Sequence, residues 1–367
     1  MINENENEIA CSDKIFEDEN LIHKKKNLSS NNSLETKNIF REARTLNTID
    51  KKSDYLQQSK GIQIIKENNN LFVDFIFDDE GIDLYCLINS SKFDYRKQDN
   101  LIKWILFQCL KGIETLHSLN IIHRDINPNH ILISSKGGIK ITNFENSIND
   151  IESKFVEDKV VGDLAYLAPE CFLGHNYNNK IDIWAIGVLM LELYIKKTSL
   201  LISEKEEKTD NFPKRFFNQL QHLCNKFKIP FNYNFNQYKN KKDELIAWLS
   251  SAKFGQNEFD QIFINIPDLN KPALDLLRRL LAFNPKERIT AKEALKMDYF
   301  KEFQYLNKEE YKKSKVKNND NLSLFIKNLE KEFPKIQQMP FDKRIETYKK
   351  EINKFLNDKN IDNKKYY

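Results

Sequence analysis

The stretch that most limits what this chain can become is IWAIGVLMLELYI, residues 183–195, directly after Asp182. It carries one charged residue, Glu192. It is too short to cross a bilayer, which takes about 20 apolar residues, and it reads as a helix buried all round. A helix of that kind needs a large body of protein around it. At 367 residues and 40 % hydrophobic composition, the chain is long enough for one large domain with appendages, or for two lobes sharing a cleft.

Charge and cysteine usage exclude several classes. With 58 basic and 54 acidic residues the net charge is only +4, so neither a nucleic-acid partner nor a membrane partner is implied. Cys11, Cys86, Cys109, Cys171 and Cys224 lie far apart with no C-x-x-C pair, which points to free thiols in a reducing compartment. The start, MINENENEIACSDK, has no apolar core of signal-peptide length. A cytoplasmic or nuclear protein is expected.

Periodicity separates strands from helices along the chain. Residues 37–49 have helical spacing, with Ile39, Ala43, Leu46 and Ile49 on one face. Residues 60–77 read as two strands joined by an Asn-rich turn. Residues 100–120 form an amphipathic helix with its stripe at Ile102, Ile105, Leu106, Cys109, Leu110 and Ile113. A turn, a short strand and a loop follow at 137–147, and the rest is mostly helical. The expected fold is α+β, with a small β-rich lobe on a larger helical lobe.

Four motifs then occur in order: IIHRDINPNHILI (121–133), IKITNFENS (139–147), GDLAYLAPE (162–170) and KIDIWAIG (180–187). With them, roughly residues 15–300 resemble a eukaryotic protein kinase. LGHNYNNKIDIWAIGVLMLEL, the insert at about 195–270 and LLAFNPKERITAKEAL are most similar to the cyclin-dependent and mitogen-activated kinase group. The resemblance implies a small lobe over about 15–77 and a helical lobe over about 78–300. A polar segment (1–14) precedes them, and a Lys-rich extension (301–367) follows with an amphipathic pattern at Ile345, Tyr348, Ile352, Phe355 and Leu356.

The resemblance also implies site roles. Phosphoryl transfer needs positioning, a proton acceptor and cations on the phosphates. Asp125 stands at the acceptor position; the alternative is a carboxylate retained for loop structure and hydrogen-bonded to nearby backbone. The metal-binding positions hold His130 and Asn143, the latter in Asn143-Phe144-Glu145 where D-F-G is expected. Magnesium prefers anionic oxygen ligands, so both positions are degenerate. The phosphate-side Lys is Asn127, and Asp163 replaces a bridging Thr near Asp125, where two close carboxylates should raise one pKa.

No glycine precedes Gly61, so a Gly-rich phosphate loop upstream is ruled out and the small lobe is expected to be shortened. Lys24, 18 residues before Glu42, fits the strand Lys of the Lys–Glu pair, with Lys25 as an alternative in register; plain solvated charge explains the KKK run as readily. Ile22 and Leu132 would line a nucleotide pocket, where Ile22 in place of a small residue crowds the adenine. ATP and magnesium are implied by the resemblance alone, and these replacements argue against both.

The scaffold positions are kept. Glu42 with Leu46, and His123 with Phe144, fit a hydrophobic spine. Asp182 matches the helix-start anchor of the catalytic loop, followed by Trp184 and Gly187. Glu170 and Arg288 match a buried ion pair, and Arg124 precedes the acceptor. The segment EDKVVGD (157–163) has no Ser, Thr or Tyr; Glu157 or Asp158 could pair with Arg41 and Arg124, and an exposed acidic loop fits at least as well. Together these features imply a pseudokinase that binds or scaffolds protein partners in signalling, through the Phe40-Arg41-Glu42 helix or the helical-lobe insert. The alternative is an active Ser/Thr kinase with atypical metal and nucleotide handling.

Overall fold

The computed structural model describes residues 21–303 except 29–32, 50–51, 69, 91–93, 98–99, 136, 150–159, 174–176, 203–211, 253–255 and 264. The Ile345–Leu356 pattern and the acidic pair Glu157 and Asp158 lie outside the described residues.

The small lobe is a three-stranded antiparallel sheet in the order β1-β3-β2, formed by β1 (Leu21–Asn27), β2 (Ser59–Glu67) and β3 (Asn70–Asp78). β3 is the middle strand, which explains its long apolar run: Val73, Phe75, Ile76 and Phe77 are all buried. Asp74, the polar exception, accepts from Gln63 Nε2 at 3.0 Å and faces His23 Nδ1 at 2.7 Å. Helix α1 (Ser33–Ile49) begins four residues before the expected 37 and buries Ile39, Glu42, Leu46 and Ile49.

After β4 (Ile82–Asp83) and α2 (Leu84–Asn89), the helical lobe begins with α3 (Leu101–Ser118), whose expected stripe is buried from Ile102 to Ile113. The short strands β5 (Ile121–Ile122), β6 (Ile131–Ile133), β7 (Ile139–Ile141) and β8 (Ile148–Asn149) form two small sheets, β4-β6-β7 and β5-β8. Their pairing holds residues 123–130 and 142–147 opposite one another, which positions the site.

α4 (Pro169–Phe172) leads to α5 (Lys180–Ile195), in which every residue from Ile181 to Tyr194 is buried. Trp184 is fully enclosed, with Phe227 and Phe283 edge-on at 5.9 and 5.4 Å between centroids. Gly187 lets the neighbouring chain approach: a Cβ there would lie 2.7 Å from Leu281 Cδ2. The insert holds α6 (Phe212–Lys226), α7 (Phe235–Asn240), α8 (Lys242–Ser251) and α9 (Gln256–Phe263), and α10 (Lys271–Leu280) and α11 (Ala291–Ala294) close the lobe. Among the described residues no helix is long and apolar enough to cross a membrane.

Candidate active site

Strand alternation sorts the three lysines of β1. Lys24 Nζ donates to Glu42 Oε1 at 2.7 Å and to Asn143 Oδ1 at 2.9 Å. Lys26 lies on the same side, since side chains repeat every two residues. It bonds to Glu145 and reaches Glu42 Oε2 at 3.5 Å. Lys25 faces the other way and pairs with exposed Glu67 at 2.5 Å. The Lys25 alternative therefore fails on strand parity. Burial pushes the Lys26 ammonium down, but Glu42 and Glu145 outweigh it and hold its pKa above the ordinary value. Burial pushes the Glu145 carboxyl up, but Lys24 and Lys26 hold it below its ordinary value.

The His123–His130 loop is hung from α5. Asp182 accepts from the backbone N–H groups of His123 and Arg124, each at 2.9 Å, and lies 2.9 Å from His117 Nε2. Burial alone would raise the Asp182 carboxyl, but these bonds and the nearby imidazoles leave it below the usual range. Arg124 takes a left-handed backbone (φ +68°). Its side chain donates to the Asn146 carbonyl at 2.5 Å and the Tyr177 hydroxyl at 2.7 Å. Arg41 donates to Asn38 Oδ1 at 3.0 Å. Buried His123 packs edge-on against Phe144, 5.4 Å between centroids, and meets the Thr142 carbonyl at 2.9 Å.

Asp125 is ringed by neutral donors. Asn127 Nδ2 donates to its Oδ1 at 2.9 Å, Asn146 Nδ2 to its Oδ2 at 3.0 Å, and the Asp163 N–H to Oδ1 at 3.3 Å. Gly162 permits this approach: it has φ +94°, and a Cβ there would fall 2.5 Å from the Arg124 carbonyl oxygen. Asp163 caps its own turn by accepting from the Ala165 N–H at 2.9 Å. Burial, with Asp125 adding to it, raises the Asp163 carboxyl above its ordinary value.

Asn143 and His130 bond to each other. Asn143 adopts φ +61°, a conformation that Asn tolerates better than most residues. Its Oδ1 is taken by Lys24, and its Nδ2 faces His130 Nε2 at 2.9 Å. His130 Nδ1 lies 2.9 Å from the Asp125 carbonyl oxygen. With Asn143 Oδ1 held by Lys24, its Nδ2 donates to Nε2, which assigns the proton of a neutral imidazole to Nδ1, toward that carbonyl; Asn127 Nδ2, 3.0 Å from the same Nδ1, donates to Asp125 Oδ1 instead. A polar chain thus runs Glu42–Lys24–Asn143–His130–Asp125. Among the described residues no group of three or more His, Cys, Asp or Glu side chains could hold a metal ion.

Arg288 forks onto Glu170 at 2.6 and 3.0 Å, deep in the helical lobe, with its guanidinium 5.2 Å from the Trp184 ring centre. Ile22 sits opposite Phe77 on β1, and Leu132 opposite Asp83 on β6; both are half-buried. Sequence reasoning missed Lys26, Glu145 and Asn146. The signals were there: a second Lys two residues from Lys24, and an acid where a D-F-G triplet has glycine.

The protein kinase domain profile matches residues 13–300. The chain belongs to the protein kinase family. Mitogen-activated protein kinase 5 of Arabidopsis thaliana is 27 % identical over 299 residues, 79 % of this chain and 72 % of the relative. Cyclin-dependent kinase E-1 of the same plant is 32 % identical over 238 residues, 61 % of this chain and 49 % of the relative, so the chain spans about half of that protein. The crystal structure of the yeast RNA Pol II CTD kinase CTDK-1 complex aligns with a TM-score of 0.59 at 26 % identity, covering 77 % of this chain and 85 % of that one. Family membership is thus of the mitogen-activated and cyclin-dependent type, with an α+β two-lobed fold.

Proposed function

We propose that this kinase-family protein is a pseudokinase that works by binding other proteins rather than by transferring phosphate. One observation carries the reading: both ends of Asn143 are consumed within the protein, Oδ1 by Lys24 and Nδ2 by His130. The donor set does not suit magnesium, which takes anionic oxygens. Asn143 is neutral, His130 offers nitrogen, and the Glu145 carboxylate is held by Lys26.

The second reading, an active Ser/Thr kinase, is favoured by the Lys24–Glu42 pair at 2.7 Å and by Asp125 at the acceptor position. Thermal stabilisation by ATP, with and without magnesium, separates the two. The pseudokinase reading expects no shift in either condition and no transfer of labelled phosphate to a general protein substrate. A magnesium-dependent shift, with transfer abolished in Asp125→Ala, overturns it.

For partners, α1 offers Phe40 with 62 % of its surface exposed, beside Arg41 and Glu42. The yeast structural neighbour is a complex, which supports a protein partner by analogy. The insert over 195–270 is the other candidate surface, and a place in the cytoplasm or nucleus fits this reading.

A further inference from the structure

A cavity of about 360 Å³ opens where the start of α5, the end of α10 and residues 286–297 meet. Among the described residues five basic side chains line it, Lys180, Arg279, Lys286, Arg288 and Lys296, against two acidic ones, Glu287 and Glu293. The chain as a whole is nearly balanced in charge, so this is a local concentration.

The floor is rigid. Arg288 is buried, forked onto Glu170, and donates to the Lys180 carbonyl at 2.9 Å. Lys180 Nζ donates back to the Arg288 carbonyl. Of the two acids, Glu293 is already committed, accepting from the Thr290 N–H at 2.8 Å and hydroxyl at 2.7 Å. Arg279, Lys286 and Lys296 are exposed on the lining. Burial holds Lys180 below the ordinary lysine value, only partly offset by Glu293, with Arg288 adding a smaller push downward; a further anion relieves that penalty.

The lining also says what does not fit. Among the described residues no aromatic ring faces the cavity, so none is placed to stack on a nucleobase. Among the described residues none of the exposed large apolar side chains, such as Phe40, Ile62 or Ile195, belongs to it, so they offer no wedge for a bilayer there. Its volume is that of about twelve water molecules at roughly 30 Å³ each, more than a single phosphate fills.

We propose that this cavity is a docking site for an acidic segment of a partner protein. Its cations steer the segment in, and the Arg288–Lys180 floor sets its depth. The site does not depend on whether the cleft transfers phosphate. Because Lys180 lies two residues before Asp182, an occupant would rest on the helix end that anchors the His123–His130 loop.

The test is fluorescence anisotropy on the full chain with fluorescein-labelled hexaglutamate. Expected is salt-sensitive binding that Arg279→Glu/Lys286→Glu/Lys296→Glu weakens at least about tenfold. A charge-matched control, Lys37→Glu/Lys66→Glu/Lys241→Glu, should change it by less than about threefold. Should the first triple variant fail to fold, Arg279→Gln/Lys296→Gln takes its place, with a loss of about threefold expected. Equal losses in both triple variants mean diffuse attraction and overturn the proposal. So does absence of hexaglutamate binding, or binding only to vesicles containing phosphatidylserine.

Discussion

Lys26 on β1 and Glu145 in the loop after β7 form an ion pair that ties the small sheet to the start of the segment beyond Phe144. Both are mostly enclosed, with 17 % and 29 % of their side chains exposed, and Glu42 completes the cluster. The tie supplies from within the chain a lobe-to-lobe contact that needs no ligand.

Removing one partner should cost more than removing both. Lys26→Met leaves Glu145 enclosed beside a single remaining cation and should lose about 1–3 kcal/mol, less than a fully buried pair because both ends reach solvent. Lys26→Met with Glu145→Met should recover most of that loss. Urea denaturation of the parent, the two single variants and the double checks it; additive losses would show that the pair does not couple.

Restoring the metal positions should change the ligand response. Asn143→Asp with His130→Asn returns an anionic oxygen and frees it from the imidazole. The variant should gain magnesium-dependent stabilisation by ATP of about 1.4 kcal/mol at ten times the dissociation constant, a few degrees in melting temperature. Differential scanning fluorimetry reads it. A flat response would refute the prediction.

The Arg288–Glu170 fork should tolerate no substitute. Arg288→Ala strands Glu170 in the core at a cost of about 3–5 kcal/mol. Arg288→Lys should recover little, since one ammonium cannot form both bonds of the planar fork. Chemical denaturation and the soluble yield of each variant measure this.

Glu192 gives the chain an alkaline sensitivity. Burial raises its carboxyl to about 8, against the hydrogen bonds from Tyr166 and the Leu200 N–H. A carboxyl whose folded pKa is raised keeps its proton in the fold after the unfolded chain has lost it. Its contribution is therefore full below the unfolded value, near 4.3, and declines as pH rises to about 8. Glu192→Gln should remove that decline and be more stable than the parent at pH 8, while matching it near pH 4. Melting curves across that range decide the matter; parallel curves for the two proteins would refute it.

Much of the scaffold could be read from residue order. The stripe of α3, the strands around residues 60–77, the all-round burial of α5 and the partners Glu170 and Arg288 all follow from spacing and motif position. So does the face of β1 that carries Lys24, once strand parity is applied. His130 is different. That it accepts from Asn143 while donating to the Asp125 carbonyl depends on loops that spacing does not orient.

The sequence by itself determined the family, the two-lobed architecture and the residues that stand at 143 and 130, because periodicity, motif order and residue chemistry are local properties. Only the tertiary structure decided which charges meet. Lys26 and Glu145 are 119 residues apart, and their pairing exists because strand register and the β6-β7 turn bring both beside Glu42. No local pattern encodes a distance of that kind, so the closed polar network of the cleft becomes visible only once the chain is folded.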